Sequence, residues 1–403
     1  MATSWESQLD AAIDDSAACL VELRRSLHMH PEPSGQELQT SLQLYQLLTG
    51  KKLPVRMGPE GSGVVVESRD QKAPRRIALR ADIDALRIQD EKHVAYRSCV
   101  PEVMHACGHD VHTATVIGAL SAIDKLRQSG ELPWPVTWRA IFQPAEETSE
   151  GARAMIGAGA LEGVDAIVSL HVDPTRRAGS IGVRAGVFTA SCDMLRITIH
   201  GRGGHAARPH ESADPIAAAA QLISTLYQFI PRATDSQDAV VVSFGQIHGG
   251  QNANVIPEQV TLEGTLRTLS QKVRERTIAN IATIVDGIER VTGTRLELSY
   301  DVGTPSVDND SELTDLIARA ARDLLGPAHV ATMPRPSMGS EDFAAYLQHV
   351  RGAMFRLGCA GERLPWPGLH TPTFDVDEKC IAVGAKILAR TVVEWSKPTN
   401  ESP

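Results

Sequence analysis

The sequence predicts an α/β protein with a mainly parallel sheet covered by helices, interrupted by a smaller α+β domain of ferredoxin-like type. Two patterns carry this. Short apolar runs alternate with longer helical patterns through most of the chain, the order expected of a parallel sheet with helices on both faces. Between about Val187 and Asp301 that alternation gives way to strand, helix, strand, strand, helix, strand, which is the ferredoxin-like order. A chain of 403 residues suits two or three domains, at ~150 residues each. The expected division is therefore 1–187 and 302–403 for a larger domain in two pieces and 188–301 for the insert.

The elements follow in order. From about Trp5 to Met29, residues Leu9, Ile13, Leu20, Leu23 and Leu27 fall at helical spacing, the mark of an amphipathic helix. Apolar runs of strand length come next at Gly63–Val66, Ile77–Leu79, Val136–Phe142, Ala166–Leu170 and Ala353–Leu357. Helical patterns cover Thr113–Leu126 and Leu313–Leu325. Within the insert, strands are expected at Met194–His200, Ala239–Ile247, Gln259–Leu266 and Arg295–Tyr300, with helices at Asp214–Phe229 and Gln271–Val291.

Composition narrows the partners. A formal net charge of −9 with no dense Lys/Arg run argues against nucleic acid or an anionic membrane. Apolar runs such as Ala217–Ala220 are far too short to span a bilayer. The first fifteen residues carry Glu6, Asp10, Asp14 and Asp15 and lack the basic start and apolar core of a secretory signal. Cys19, Cys99, Cys107, Cys192, Cys359 and Cys380 are scattered without a paired framework. That usage points to a reducing cytoplasm, where a functional cysteine serves as ligand or nucleophile.

In open α/β sheets, ligands bind outside the carboxyl ends of the strands, and the polar residues gather there. Ile77–Leu79 leads into Arg80-Ala81-Asp82-Ile83-Asp84, and Val136–Phe142 into Gln143-Pro144-Ala145-Glu146-Glu147. Ala166–Leu170 leads into His171-Val172-Asp173, and Ala353–Leu357 into a Gly/Pro-rich loop containing His370. The stretch His105-Ala106-Cys107-Gly108-His109-Asp110-Val111-His112 stands at the start of a helix. Five segments thus deliver Cys, His, Asp or Glu to one rim. This donor mix suits Zn²⁺, with Mn²⁺ or Co²⁺ also compatible. Cys107, His109, Glu147, His171 and His370 are too many ligands for one tetrahedral ion. Two ions sharing a bridging ligand fit better, and the Cys107 thiolate is the natural bridge. Neighbours on an extended backbone point to opposite sides, so one of Glu146 and Glu147 can ligate while the other takes a proton from water. Asp82 and Asp84 face the same side of a strand, which suits Asp84 to orienting a ligand.

The segments Leu27-His28-Met29-His30-Pro31-Glu32, Arg80-Ala81-Asp82-Ile83-Asp84-Ala85-Leu86, His105-Ala106-Cys107-Gly108-His109-Asp110, Phe142-Gln143-Pro144-Ala145-Glu146-Glu147 and Gly203-Gly204-His205-Ala206-Ala207 resemble the M20 peptidase family. More narrowly, they resemble its amidohydrolase branch, with aminoacylase-like, hippurate-hydrolase and indole-acetyl-amino-acid hydrolase members. Asn252-Ala253-Asn254-Val255-Ile256-Pro257, Gly264-Thr265-Leu266-Arg267 and Gly339-Ser340-Glu341-Asp342-Phe343 extend the match, which runs from about Leu23 to Leu388. The resemblance implies a phosphorylase/hydrolase-like catalytic domain with an inserted lid. It also implies two divalent ions, Zn or Mn with Co or Ni as alternatives, held by Cys107, His109, Glu147, His171 and His370 with Cys107 bridging. Glu146 becomes the general base. His205 stabilises the oxyanion, in family members often across a dimer. Asn254 and Arg267 hold the substrate, with the Arg267 fork matched to a carboxylate. The implied activity is hydrolysis of the amide bond of a small N-acyl amino acid by a cytoplasmic homodimer joined through the lid. A dipeptidase or carboxypeptidase on the same metals is the alternative, and a non-catalytic binding protein is a second.

Plainer readings stand beside these. The wider family has a ligand histidine where Asp82 stands, so Asp82 is not counted as a ligand. His205 after two glycines also reads as a turn histidine, Arg267 as a surface ion-pair residue and Asn254 as a turn former. His28, His30 and His112 read as structural. Gly201-Arg202-Gly203-Gly204 lacks the Lys-Ser/Thr of a phosphate loop. The loop 365–369 before His370 departs from the family and leaves the choice of substrate open.

Overall fold

A computed structural model of the chain describes residues 4–70 and 72–398, so the outermost residues of the expected 1–187 and 302–403 pieces lie outside it. In chain order the main helices are α1 (Trp5–Met29), α2 (Leu38–Gly50), α3 (His109–Ser129), α4 (Gly151–Gly157), α5 (Pro215–Ala233), α6 (Gln271–Thr292), α7 (Ser311–Leu325) and α8 (Lys379–Trp395). The main strands are β1 (Val55–Met57), β2 (Val64–Glu67), β3 (Arg76–Asp82), β4 (Thr137–Gln143), β5 (Ala166–Arg177), β6 (Ile181–Val183), β7 (Ser191–His200), β8 (Val240–Gly249), β9 (Gln259–Thr268), β10 (Arg295–Thr304), β11 (Val330–Thr332) and β12 (Arg351–Ala360). The chain divides into two compact units. The first holds residues 1–186, 308–335 and 342–403; the second holds 187–307 and 336–341.

In the first unit eight strands form one sheet in the order β1-β2-β4-β3-β5-β12-β6-β11. β3 runs parallel to both β4 and β5, β12 parallel to β5, and β11 parallel to β6. The central strands are buried along nearly their whole length, which is why they read as unbroken apolar runs instead of alternating ones. α1 begins where the Ser4 hydroxyl accepts from the Ser7 N–H, and it buries Leu9, Ile13, Leu20 and Leu27 on one face. That face packs against α3 and α8. A Cβ at Gly118 of α3 would lie 2.7 Å from Leu20 Cδ1 and 3.1 Å from Ala385 Cβ, so the three helices approach as closely as they do because this residue has no side chain.

β5 runs furthest past its apolar pattern. The apolar run ends at Leu170, but β5 continues to Arg177 because β12 stays paired with it through Asp173. His171 is therefore inside a strand. It still reaches the rim. Arg80 of β3 is registered with Ser169 of β5, which sets His171 level with Asp82, where β3 ends.

The second unit has a four-stranded antiparallel sheet in the order β8-β9-β7-β10. Numbered within the unit this is 2-3-1-4, the ferredoxin-like order for a βαββαβ chain. Burial alternates along β7 and β9, and the inward set, including Leu195, Ile197, Ile199 and Leu262, packs with Leu222 and Leu226 of α5 and Ile281 of α6. The Asp214 side chain caps α5 by accepting from Ile216 N and Ala217 N. The unit extends past Asp301 because β10 continues to Thr304, still registered with Cys192. It also takes in 336–341, which pairs with 188–190 through Ser337 N to Phe188 O at 2.9 Å and Ala190 N to Gly339 O at 3.0 Å. Nothing in the local pattern of 336–341 announces that return. No helix among the described residues is long and apolar enough to cross a membrane.

The burial pattern sets an expectation for stability. Leu79 in β3 is 0% exposed and Val291 in α6 is 75% exposed. Leu79→Ala is expected to cost about 2–5 kcal/mol, as large-to-small core changes do. Val291→Ala should stay within about 0.5 kcal/mol of wild type. Urea unfolding followed by circular dichroism measures both, and comparable losses would contradict the burial described.

Candidate metal centre

The five expected ligands reach one place from four directions. Cys107 and His109 flank Gly108, the N-cap of α3, whose φ of +85° is a glycine conformation and whose missing Cβ leaves room for Val172 Cγ2 at 2.5 Å. Glu146 and Glu147 lie in the turn after β4, His171 in β5, and His370 in the loop between β12 and α8. His370 is a non-glycine residue at φ +59°, anchored by its N–H on Ala106 O at 2.8 Å. Such backbone strain concentrates at functional sites.

Their donor atoms converge. Cys107 Sγ is 3.3 Å from His171 Nε2 and 3.4 Å from His370 Nε2. Glu147 Oε1 is 3.3 Å from His370 Nε2 and 3.9 Å from His109 Nε2. Cys107 thus belongs to two donor triplets, one with His109 and His171 and one with Glu147 and His370, each with all its donor atoms within 4.8 Å of one another. Glu146 joins His109 and Glu147 in a third. His109 Nε2 and Glu147 Oε1 are buried and make no hydrogen bond. Polar atoms seldom go unpartnered in a protein interior. Two orphaned donors beside a thiol and two imidazoles are what a pair of borderline divalent cations would satisfy.

The surroundings prepare these atoms. His109 Nδ1 donates to Asp84 O at 2.9 Å and to Asp84 Oδ1 at 3.0 Å, which points Nε2 inward. His171 Nδ1 donates to Val172 O at 2.8 Å with the same consequence. Burial, reinforced by the nearby Arg356 charge, holds His171 well below the usual histidine range and therefore neutral. Burial alone would depress His109 as well, but the carboxylates of Asp82 and Asp84 hold it well above that range. Burial, and then the Glu147 charge, push the Cys107 thiol up to about 12. A cation binding here must displace protons.

Asp82, whose Oδ2 lies 3.8 Å from His109 Nε2 and which forms a donor triplet with His109 and His112, is already hydrogen-bonded. It accepts from His112 Nδ1 at 2.6 Å and from Arg80 Nη1 at 2.6 Å. His112 Nε2 in turn accepts the Val172 N–H at 3.0 Å, so both of its ring nitrogens are spent on structure. Arg80 also donates to Gln143 Oε1 at 2.9 Å and to Asp342 Oδ1 at 2.7 Å. Asp342 then receives Gln143 Nε2 and Ala152 N, and its own N–H lies 3.4 Å from Glu146 Oε1. Sequence reasoning did not single out Gln143 or Asp342 for this. The available signal was Arg80 itself: a charge inside a strand that is otherwise apolar must be met by buried partners.

In the second unit, Gly204–His205 pairs with Val255–Ile256, and Ala206 N donates to Asn254 O at 3.1 Å, so His205 and Asn254 are neighbours. Both are exposed. His205 Nδ1 accepts the Ala207 N–H at 3.1 Å, which leaves the ring proton on Nε2. Arg267 is elsewhere. It lies near the end of β9, its Nη1 donating to Met338 O at 3.2 Å, whereas His205 and Asn254 lie by the start of that strand. Eight residues of extended chain span roughly 26 Å. One copy of this unit does not bring these three side chains to one substrate.

Comparison with known proteins agrees with this chemistry. Residues 78–394 match peptidase family M20/M25/M40. The chain is 38% identical over 375 residues to an N-acetylcysteine deacetylase of Bacillus subtilis (strain 168), spanning 93% of this chain and 96% of that one. It is 34% identical over 389 residues to thermostable carboxypeptidase 1 of Saccharolobus solfataricus, covering 94% and 95% of the two chains. The crystal structure of a dinuclear metal-binding peptidase of the M20 family from Bacillus subtilis superimposes with a TM-score of 0.80 at 35% identity, covering 95% of this chain and 99% of that one.

The protonation pattern predicts how loading responds to pH. Because Cys107 and His109 hold their protons without a cation, Zn²⁺ added to chelator-stripped protein near neutral pH should release protons, and its affinity should fall as pH falls. Cys107→Ser should release fewer. Calorimetric titration in two buffers of different ionisation enthalpy measures the difference, and equal release from both proteins would rule out thiolate ligation.

Proposed function

Because the chain belongs to peptidase family M20/M25/M40 and is a hydrolase of that family, we propose that it hydrolyses the amide bond of N-acylated amino acids, releasing a carboxylic acid and an amino acid. The observation that carries this reading is the convergence of Cys107, His109, Glu147, His171 and His370 beside a second carboxylate, Glu146. Those five side chains would hold two divalent ions, Zn or Mn, with Co or Ni as substitutes. When bound, the ions supply Lewis acidity to the acyl carbonyl and lower the pKa of water. Glu146 takes the proton from the attacking water and returns it to the leaving nitrogen, so the amide C–N bond breaks as water adds across it. His205, with its proton on Nε2, donates to the oxygen on which negative charge develops. Asn254 positions the substrate, and Arg267 pairs with its carboxylate.

The separation of His205 and Asn254 from Arg267 along β9 supports a homodimer joined through the second unit. Two copies can then contribute different residues to one substrate. The resemblance to a deacetylase favours an acyl substrate. A dipeptidase or carboxypeptidase is the second reading, favoured by the thermostable carboxypeptidase relative. Both reactions leave a free carboxylate on the product and need the same machinery. The net charge of −9 and the lack of a dense Lys/Arg run in the sequence speak against nucleic acid, and the cysteine usage fits a cytoplasmic setting.

Stripped protein reloaded with Zn²⁺, Mn²⁺ or Co²⁺ and offered N-acetyl and N-benzoyl amino acids beside dipeptides should turn over the acyl compounds faster. Glu146→Ala should keep its metal and lose about 10²- to 10⁴-fold in kcat; turnover near wild type would remove Glu146 from the reaction. A second expectation concerns the partner copy. Mixing and refolding Glu146→Ala with His205→Ala should restore activity that neither shows alone, measured as turnover against mixing ratio. Mixtures no better than their components would place His205 and Glu146 in the same copy's site.

A further inference from the structure

We propose that Glu37, on the connector between α1 and α2, is a positioning residue for the turn that presents Glu146 and Glu147, with Ser34 bracing the same turn through Asp84. This rests on Glu146 being the general base. The connector follows directly on the His28–Glu32 motif, which none of the chemistry above employs.

The Glu37 carboxylate is fully buried, 108 residues away in sequence from the turn it touches. Its Oε1 accepts the Ala145 N–H at 2.8 Å and the Gly35 N–H at 2.7 Å, and its Oε2 accepts from Ser62 Oγ at 3.3 Å. All three partners are donors, so the site is built for an acceptor. Ala145 needs holding. Its φ is +52°, a left-handed conformation that a residue with a Cβ adopts against its preference. The turn closes on that conformation, with Glu150 N and Gly151 N both donating to Ala145 O, at 3.3 and 3.1 Å. Glu146 and Glu147 follow immediately, so the direction of both side chains is set by the torsion Glu37 holds in place.

The far end of the turn is secured in parallel. Glu147 N donates to Asp84 Oδ2 at 3.0 Å, and Ser34 Oγ donates to the same oxygen at 2.5 Å. The connector is itself fastened nearby: Ala85 N donates to Glu32 O at 2.9 Å, and the Glu32 carboxylate accepts Gln39 N and Thr40 N at the start of α2. Three residues apart, Ser34 and Glu37 therefore grip the turn at both ends. Removing Glu37 would leave the buried Ala145 N–H without an acceptor and free the turn to leave its left-handed conformation.

The test uses full-length, metal-loaded protein and an N-acyl amino acid that it turns over. Glu37→Ala is expected to lower kcat about 10- to 100-fold, with KM within about twofold and two metal ions still bound, because a small misplacement of a reacting group is costly. Glu37→Gln, whose amide oxygen still accepts from Ala145, should recover kcat to within about threefold of wild type. In the Glu146→Ala background, Glu37→Ala should cause no further loss, since the two act through one group. The proposal is overturned by a Glu37→Ala enzyme with wild-type kcat, by a loss that Glu37→Gln does not recover, or by losses that multiply with Glu146→Ala. If Glu37→Ala does not fold, Ser34→Ala and Glu37→Gln carry the test. Ser34→Ala should lower kcat with metal retained, and an unchanged kcat would overturn the proposal. A Glu146→Ala enzyme that keeps its turnover removes the general-base reading and this inference together; an inactive Glu146→Ala beside an unaffected Glu37→Ala removes this inference alone.

Discussion

The carboxylate of Asp84 is where the candidate centre is tied together. One of its oxygens receives the His109 Nδ1–H and the other receives both the Glu147 N–H and the Ser34 hydroxyl. A single buried side chain thus orients one histidine, fixes the backbone of one carboxylate residue, and anchors the connector between the first two helices. Burial would raise its pKa, but the His109 charge and these hydrogen bonds keep it below the ordinary carboxylate range, so it stays ionised. An ionised acceptor holds its donors more strongly than a neutral one. The inward direction of His109 Nε2 depends on it.

A second buried network does for the other side of the centre what Asp84 does here. Arg24 of α1, fully buried, donates to Asp110 at 2.7 Å and reaches Asp375 and Glu378, each at 3.2 Å. His28 Nδ1 shares the Asp110 carboxylate at 2.8 Å, and Lys92 donates to Phe374 O at 2.9 Å. Asp110 follows His109 directly, and Phe374 and Asp375 follow His370 by a few residues. Arg24 therefore joins the segment that carries one donor to the segment that carries another. Buried ion networks add little net stability but are costly to break on one side. What this one gains is the placement of the start of α3 against the irregular loop that carries His370.

Much of the site was legible in order along the chain. The apolar runs end at Leu79 and Phe142 and the strands β3 and β4 close soon after, at Asp82 and Gln143, so the polar residues that follow fall at the rim, and the Cys107–His112 stretch opens α3 as its composition suggests. These features are local. The apolar run of β5 stops at Leu170 yet the strand runs past His171, because strand ends are set by the partner strand and not by where apolar residues stop. The Ala145–Glu37 bond and the return of 336–341 to the second unit join residues far apart in sequence, and no periodicity encodes such meetings.

By itself the sequence determined the kinds of atoms available and the layers of the fold: an apolar strand pattern of this period builds a buried sheet whatever its neighbours, and Cys, His and Glu bring metal-binding donors wherever they go. Only the tertiary structure decided which ring nitrogens face inward, which carboxylate is already taken by Arg80 and His112, and that His205 lies by the start of β9 and Arg267 near its end. Those outcomes depend on strand register and on long-range hydrogen bonds, whose energies exist only once distant segments have met.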